Sequence, residues 1–144
     1  EPPIHDFSIE RDGIDYTAQM LKKEHLLVVI SYNLDVAQKE GFIAIKEATD
    51  TAIANGYTVI GISASSTPET EKLVEDYQLD FLFYFCDMTT LKTIIRSNPS
   101  IISLERGTIL QKLHFNDLNK LKLKELNTLL LTNDSIDKVL DTLN

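Results

Sequence analysis

The chain has 144 residues, of which 43% are hydrophobic and 25% are charged, a composition that is ordinary for one folded domain. Acidic residues outnumber basic ones by 22 to 14, and the net charge of −8 disfavours nucleic acid and anionic membrane surfaces as partners. The single cysteine, Cys86, excludes a disulfide, a dithiol site or a cysteine-rich zinc site within these residues. No apolar run reaches the roughly 18 residues of a membrane span, so direct insertion of this segment is not expected.

The N-terminal segment 1–13 is polar and contains two prolines, which predicts a linker and arm. Within it, Phe7 and Ile9 alternate with polar residues as in a short edge strand. Thr17 follows this arm and is placed to cap a short helix over Ala18–Lys23.

The first strong strand signal is the continuous apolar, β-branched run Leu26–Tyr32. Such a run predicts a central strand covered on both faces. A turn over residues 33–35 leads into a long helix, Val36–Asn55, whose small and apolar residues recur at helical spacing. The predicted buried face consists of Gly41, Ile45, Ala48 and Ala52, widened by Phe42 and Ile53.

A second buried strand is predicted over Tyr57–Ser63. The hydroxyl-rich loop 63–67 follows it, and a nucleotide site is not expected there because the loop lacks a glycine-rich phosphate pattern. Thr67 as N-cap and Pro68 at the first helical position predict a helix that runs to Tyr77.

The apolar segment Phe81–Phe85 predicts a third strand, and Asp87 then caps a helix over Met88–Arg96. Lys92 and Arg96 lie at i, i+4 on that helix and share one face. They are interpreted either as a solvated pair or as an anion contact beside the segment that follows.

Two apolar segments joined by the polar turn 105–108 predict a β-hairpin of Ile101–Leu104 and Ile109–Leu113. Pro99 stands directly before the first of these strands, where it breaks no ladder hydrogen bond. It also pushes the preceding residue out of helical conformation, so the helix ends near Ser97. Two helices are predicted after the hairpin: Asn116–Leu131 and Ser135–Leu143.

The predicted order is β-α-β-α-β-α-β-β-α, with no repeat and no internal boundary. Alternating strands and helices predict an α/β fold with a mostly parallel sheet, to which the hairpin adds antiparallel strands. We expect a single domain over residues 1–144, with an arm at 1–13 and C-terminal helices over 117–144.

This order and the Pro99 hairpin resemble the thioredoxin-like superfamily, in its TlpA and peroxiredoxin-like branch, over Phe7–Leu118. The resemblance implies a three-layer α/β/α sandwich whose central mixed sheet ends in a C-terminal β-hairpin. It also implies that the bond before Pro99 is cis and that this proline faces the active site. A trans proline that simply starts a strand is the alternative interpretation.

Redox members of that family begin the first long helix with Cys-x-x-Cys, and no cysteine occurs near that point of this chain. Matching the strand end and the helix start places Asp35 and Gln38 where the two cysteines would be. Asp35 there is interpreted as a helix cap, since disulfide exchange requires a thiolate. The resemblance then implies a binding groove without redox chemistry, lined by Asn33, Leu34, Asp35, Gln38, Asn98 and Pro99.

More narrowly, the chain resembles the C-terminal thioredoxin-like domain attached to some DoxX-family bacterial membrane proteins. The resemblance lies in Pro3–Ile9, Thr90–Pro99 and His114–Leu118. It implies a membrane-embedded part upstream and placement on the periplasmic, outer side of the inner membrane. The start at Glu1, without an initiator methionine or signal peptide, is typical of a piece of a longer protein.

Cys86 ends the third predicted strand and has two interpretations. It is either a buried small hydrophobic residue or a single reactive thiol near the carboxyl ends of the strands. Its neighbours Phe85 and Asp87 supply no positive charge, which disfavours a thiolate. No metal site is predicted, because the histidines are far apart in sequence: His5, His25 and His114.

Three functional hypotheses follow. The leading one is a redox-inactive thioredoxin-fold module that takes a protein partner, or an attached membrane domain, and needs no cofactor. The alternative is a thiol oxidoreductase or peroxidase that uses Cys86 alone. The third is a small-molecule or structural module, which a closed apolar pocket in place of an open groove would distinguish.

Overall fold

The computed structural model describes residues 8–34, 39–95 and 97–124. The strands in these ranges are β1 (Glu10–Arg11), β2 (Ile14–Asp15), β3 (Leu26–Ser31), β4 (Thr58–Ser63), β5 (Phe83–Phe85), β6 (Ser100–Glu105) and β7 (Thr108–His114). The helices are α1 (Thr17–Leu21), α2 (Lys39–Ala54), α3 (Thr67–Tyr77) and α4 (Met88–Ile94), followed by a 3-10 helix at Phe115–Lys120.

The strands form one mixed sheet in the order β2-β1-β5-β4-β3-β6-β7. Strands β3, β4 and β5 are parallel, whereas β6 runs antiparallel to β3 and β7 antiparallel to β6. All six residues of β3 are buried, which explains why Leu26–Ser31 is continuously apolar up to its last position. The predicted α/β class with a mixed central sheet and a C-terminal hairpin is confirmed.

Helices cover both faces of this sheet and make three layers. Successive residues of β3 point to opposite faces, so Val28 packs into the core beneath α1 and α4, and Val29 into the core beneath α2 and α3. Leu91 anchors α4 in the first core, and Phe42 anchors α2 in the second. Both anchors are almost fully buried.

The hairpin of β6 and β7 forms as predicted, with each strand slightly longer than its apolar segment. Its two-residue loop places Arg106 at φ 51° and Gly107 at φ 81°. Positive φ at both central positions is the type I′ geometry, whose twist matches that of the flanking strands. A register shift opposite Ser103 and Leu104 marks a bulge in this pair.

Two predicted helix caps are wrong by one residue. Tyr16 occupies the N-cap of α1 without a side-chain bond, and the Thr17 hydroxyl instead accepts from the Ile9 N–H at 2.9 Å. In α3 the N-cap is Ser66, whose Oγ accepts from the Glu69 N–H. Ser66 has the extended backbone of an N-cap, and Thr67 is already the first helical residue.

Several predicted boundaries also move. Strand β5 begins at Phe83 instead of Phe81, and α4 ends at Ile94 because Ile95 is extended. The α2 residue Ile53, predicted to widen the buried face, is 39% exposed.

The helix predicted from Asn116 is wrong over the described residues. A 3-10 helix ends at Lys120 and the chain continues in extended conformation at Leu121. There Lys122 exchanges two hydrogen bonds with the Gln111 side chain, which hold the chain extended. The remainder of that prediction, and the helix Ser135–Leu143, lie outside the described residues.

Candidate functional site

The side chain of Asn98 forms hydrogen bonds that connect the carboxyl end of β3 with the loop before β6. Ser31 Oγ donates to Asn98 Oδ1 at 2.5 Å, and Asn98 Nδ2 donates to the Asn33 carbonyl at 2.7 Å. Asn98 is buried, so each of these bonds replaces one that water would otherwise make. The two bonds fix where Pro99 stands relative to the end of β3.

Helix α2 passes beside this loop at Gly41. A Cβ placed on Gly41 would lie 3.0 Å from the ring of Phe115 and 3.2 Å from Pro99 Cγ. The missing side chain therefore lets the helix backbone approach the loop closely. The long helix lies beside the Asn98–Pro99 bend, as the resemblance implied, and the peptide bond between these two residues is cis.

The structure brings four of the six predicted groove residues together at one edge of the sheet. Asn33 and Leu34 are half-buried at the end of β3, and Asn98 and Pro99 are buried across from them. The other two predicted groove residues, Asp35 and Gln38, lie outside the described residues. We call the described part of this site, Asn33–Leu34 with Asn98–Pro99, the groove.

The hydroxyl-rich loop after β4 supports the groove. The Leu34 N–H donates to Ser65 Oγ at 3.0 Å, and the Ser65 N–H donates to Ser63 Oγ at 3.0 Å. Ser65 therefore satisfies a backbone donor in the turn after β3, and Ser63 satisfies one within the loop after β4. Sequence reasoning considered this loop only as a phosphate site and missed the supporting role.

Two buried serines bracket the Asn98–Pro99 bond. Ser97 Oγ donates to the Pro99 carbonyl at 2.9 Å, and Ser100 Oγ donates to the Ser97 carbonyl at 2.8 Å. Both satisfy backbone carbonyls that the irregular loop would otherwise leave unpaired. The sequence signal for this role is a serine on each side of the Asn-Pro pair.

Cys86 follows β5 and is 2% exposed. It packs in the core beneath α1 and α4 together with Ile9. Burial raises the pKa of its thiol, with the charge of Asp87 adding to the effect. The strand order places β5 three strand spacings from β6, about 14 Å, so the thiol does not face Pro99.

Of the two cations predicted beside the proline, Lys92 is exposed and its Nζ lies 5.2 Å from the centroid of the Tyr32 ring. Arg96 lies outside the described residues, as does His5. The other histidines are far apart: His25 contacts Tyr57, and His114 contacts Phe115.

No group of three or more His, Cys, Asp or Glu side chains is arranged to hold a metal ion within residues 8–34, 39–95 and 97–124. In the same ranges, no helix has the length and apolarity needed to cross a membrane.

No protein-family model matches the chain, and no curated protein matches it significantly in sequence. Solved structures do match. The thioredoxin domain of a Bacteroides vulgatus thiol-disulfide oxidoreductase is 18% identical, with a TM-score of 0.56, over 83% of this chain and 92% of that one. A thiol-disulfide oxidoreductase of Bacteroides fragilis is 19% identical, with a TM-score of 0.57, over 92% of this chain and 96% of that one.

A third similar structure is reduced Prx3 of Vibrio vulnificus in complex with hydrogen peroxide. It is 7% identical, with a TM-score of 0.61, over 78% of this chain and 84% of the other. At these identities the similarity concerns the fold alone. The three-layer architecture and these matches together show that this chain has a thioredoxin-like fold.

Proposed function

We propose that this domain is a thioredoxin-fold binding module that takes a protein segment in the groove and performs no disulfide chemistry. The observation that carries the proposal is the Asn98 amide, which reaches from the loop before β6 to both Ser31 and Asn33 at the end of β3. Hydrogen bonds thus hold together the end of the sheet at which redox members of the thioredoxin-like superfamily have their cysteine pair. In open α/β sheets, ligands bind outside the carboxyl ends of the strands, which is where the groove lies.

The alternative function, a single-thiol oxidoreductase or peroxidase, receives no support from the surroundings of Cys86. A reactive thiol needs access and a lowered pKa, whereas this one is buried with a raised pKa. We therefore assign Cys86 to packing in the core beneath α1 and α4.

We further propose that the module is an accessory domain of a larger DoxX-family membrane protein, on the periplasmic side of the inner membrane. The resemblance of Thr90–Pro99 and His114–Leu118 supports this proposal. The reading frame before Glu1 is then expected to encode several apolar helices of about 20 residues each. A full-length product that fractionates away from membranes would contradict it.

Binding in the groove can be tested with peptides selected from a random display library against residues 1–144. Leu34→Asp places a charge in the groove. We expect it to lower the affinity of the selected peptides by at least about tenfold. Ile14→Asp is the matched control, since Ile14 is 55% exposed and lies on β2, the outermost strand on the side of the sheet away from β6.

Amide chemical-shift mapping on the unmodified domain gives a second readout that does not depend on how Leu34→Asp folds. Shifts at Leu34 and around Pro99 would support the proposal. Two results would overturn the proposal. One is equal peptide affinity for Leu34→Asp and the unmodified domain, and the other is amide shift changes only at residues far from the groove.

A further inference from the structure

A second concave surface adjoins the groove on the α4 side of the sheet. It is a cleft of about 580 Å³ between α4 and β7, and the two serines that bracket the Asn98–Pro99 bond, Ser97 and Ser100, line it. Its volume is within the range of about 300–1,000 Å³ that is usual for ligand sites. We call this surface the basic cleft because of the side chains described next.

Cationic side chains line the basic cleft from both walls. Lys92 comes from α4 and Lys112 from β7, and no aspartate or glutamate is among the described lining residues. Neither ammonium forms an ion pair with a carboxylate of the described ranges. In a chain of net charge −8, two lysines that face one cleft and form no ion pair within the described ranges make the local charge positive.

A third donor comes from His114, the last residue of β7. Its Nδ1 accepts from the Asn116 N–H at 2.9 Å, so the ring proton is on Nε2. The ring is held against Phe115, with centroids 4.5 Å apart, and lines the cleft. The imidazole therefore has a fixed tautomer whose free N–H is a donor.

The rest of the wall is mixed. Its apolar part is Ile94 and Ile95 beside Lys92, and the hydroxyl side chains of Thr93, Ser97 and Ser100 line the remainder. A ligand can therefore place an aliphatic group against the isoleucines and its negative charge next to the lysines. A peptide in which acidic and aliphatic residues alternate has that chemistry.

The basic cleft and the groove are adjacent at the Asn98–Pro99 bond. Ser97 and Ser100 stand on either side of the Asn98–Pro99 bond and also line the cleft. Lys92 reaches over Tyr32, the residue directly before Asn33. A segment lying in the groove therefore meets the basic cleft within a few residues of Pro99.

We propose that the partner segment is an acidic peptide, whose carboxylate is received in the basic cleft by Lys92, Lys112 and the His114 Nε2–H. This inference rests on the proposed function, because it names the chemistry of what the groove binds. Charge-assisted hydrogen bonds from two lysines supply the selectivity, and the isoleucines accept the neighbouring aliphatic side chain.

The test uses two capped peptides as probes, acetyl-Ala-Glu-Leu-Glu-Ala-amide and the same peptide with glutamine in place of glutamate, with inorganic phosphate as a third probe. Amide shifts are followed during titration of residues 1–144. The acidic peptide is expected to shift Lys92, Ser97 and Lys112 saturably and to bind at least about tenfold more tightly than its glutamine analogue.

The variant Lys92→Gln/Lys112→Gln should abolish this preference. The control variant Lys22→Gln/Lys122→Gln removes the same amount of charge from exposed lysines outside the cleft. This control should retain the preference for the acidic peptide. Equal loss of affinity in both variants would mean general charge attraction and would overturn the inference.

The remaining outcomes separate this inference from the proposed function. If both peptides bind equally and shift Leu34, the groove binds peptide but carboxylate recognition is wrong. If the acidic peptide shifts only amide signals of the cleft, recognition of a carboxylate by the cleft is supported and the groove proposal fails. Saturable binding of phosphate without peptide binding, or no saturable shift with any probe, overturns the inference.

Discussion

Two regions at the same edge of the sheet invite comparison, since each follows the carboxyl end of a parallel strand. At the end of β3, the Asn98 amide is hydrogen-bonded and Leu34 is only half-buried. At the end of β5, Cys86 is 2% exposed and packs in the core. The end of β3 thus has a partly exposed side chain, Leu34, and no thiol, whereas the end of β5 has a thiol that solvent does not reach.

The difference teaches that position at the carboxyl edge does not by itself make a reactive site. Burial decides whether the group there can meet a ligand, and it also raises the pKa of the only thiol. Substitutions on each side of this comparison should therefore have different effects.

Removing the amide of Asn98 should have the largest effect on stability. Asn98→Ala leaves the Ser31 hydroxyl and the Asn33 carbonyl without this partner, and we expect a loss of about 2–4 kcal/mol in the free energy of unfolding. Urea denaturation measures it. Asn116→Ala, at an exposed position, is the control, and a loss no larger than in that control would contradict the role assigned to Asn98.

On the other side of the comparison, Cys86→Ser should cost about 2 kcal/mol, because it places a hydroxyl in an apolar core. Cys86→Ala should cost less. Alkylation of Cys86 by iodoacetamide should be slow in the folded domain and limited by the small population of unfolded molecules. Fast alkylation of the folded domain at neutral pH would contradict the burial argument.

The raised pKa of Cys86 also sets the sign of a pH effect. Above the ordinary thiol pKa, the unfolded chain loses this proton before the folded domain does. The contribution of Cys86 to stability is therefore complete below that pH and falls as the pH rises toward the folded-state pKa. Cys86→Ala should remove this part of the alkaline loss of stability.

Substitution of Gly41 tests how closely α2 approaches the loop before β6. Gly41→Ala gains up to about 1 kcal/mol of helix propensity but pushes a methyl group against Phe115 and Pro99, and we expect a net loss of about 1 kcal/mol. Measured in a Phe115→Ala background, the same substitution should become stabilising. If Gly41→Ala also stabilises the domain that retains Phe115, α2 lies farther from Phe115 and Pro99 than the structure shows.

The smallest effect is expected at the serine that supports the turn after β3. Ser65→Ala leaves the Leu34 N–H without its acceptor at a half-buried position, which should cost about 1 kcal/mol or less. Peptide affinity should fall along with stability if the turn positions the groove. Unchanged affinity would show that the groove does not depend on Ser65.

Much of the fold could be predicted because its signals are local. The apolar run at Leu26–Ser31 and the polar turn around Gly107 each specify one structure whatever surrounds them. Over the described residues, the helix predicted from Asn116 is wrong because a side chain of β7 determines the conformation there. Gln111, eleven residues earlier, binds both backbone groups of Lys122 and holds the chain extended.

The site was less predictable than the fold, because its bonds join residues that are distant in sequence. Asn98 could be assigned to the groove from its proline neighbour, but its bond to Ser31 spans 67 positions. Nothing in the local sequence indicates that Ser65 supports Leu34 or that Lys92 and Lys112 face one cleft. Such pairings follow from strand order, which the sequence pattern restricts but does not specify.

The central claim is that this domain has a thioredoxin-like fold with a peptide-binding groove and does not catalyse disulfide exchange. Reduction of insulin disulfides, followed by turbidity in the presence of a regenerating reductant, tests it most directly. We predict that residues 1–144 add nothing to the rate of the reductant alone and that Cys86→Ser behaves identically. Turnover above that background which disappears in Cys86→Ser would contradict the account.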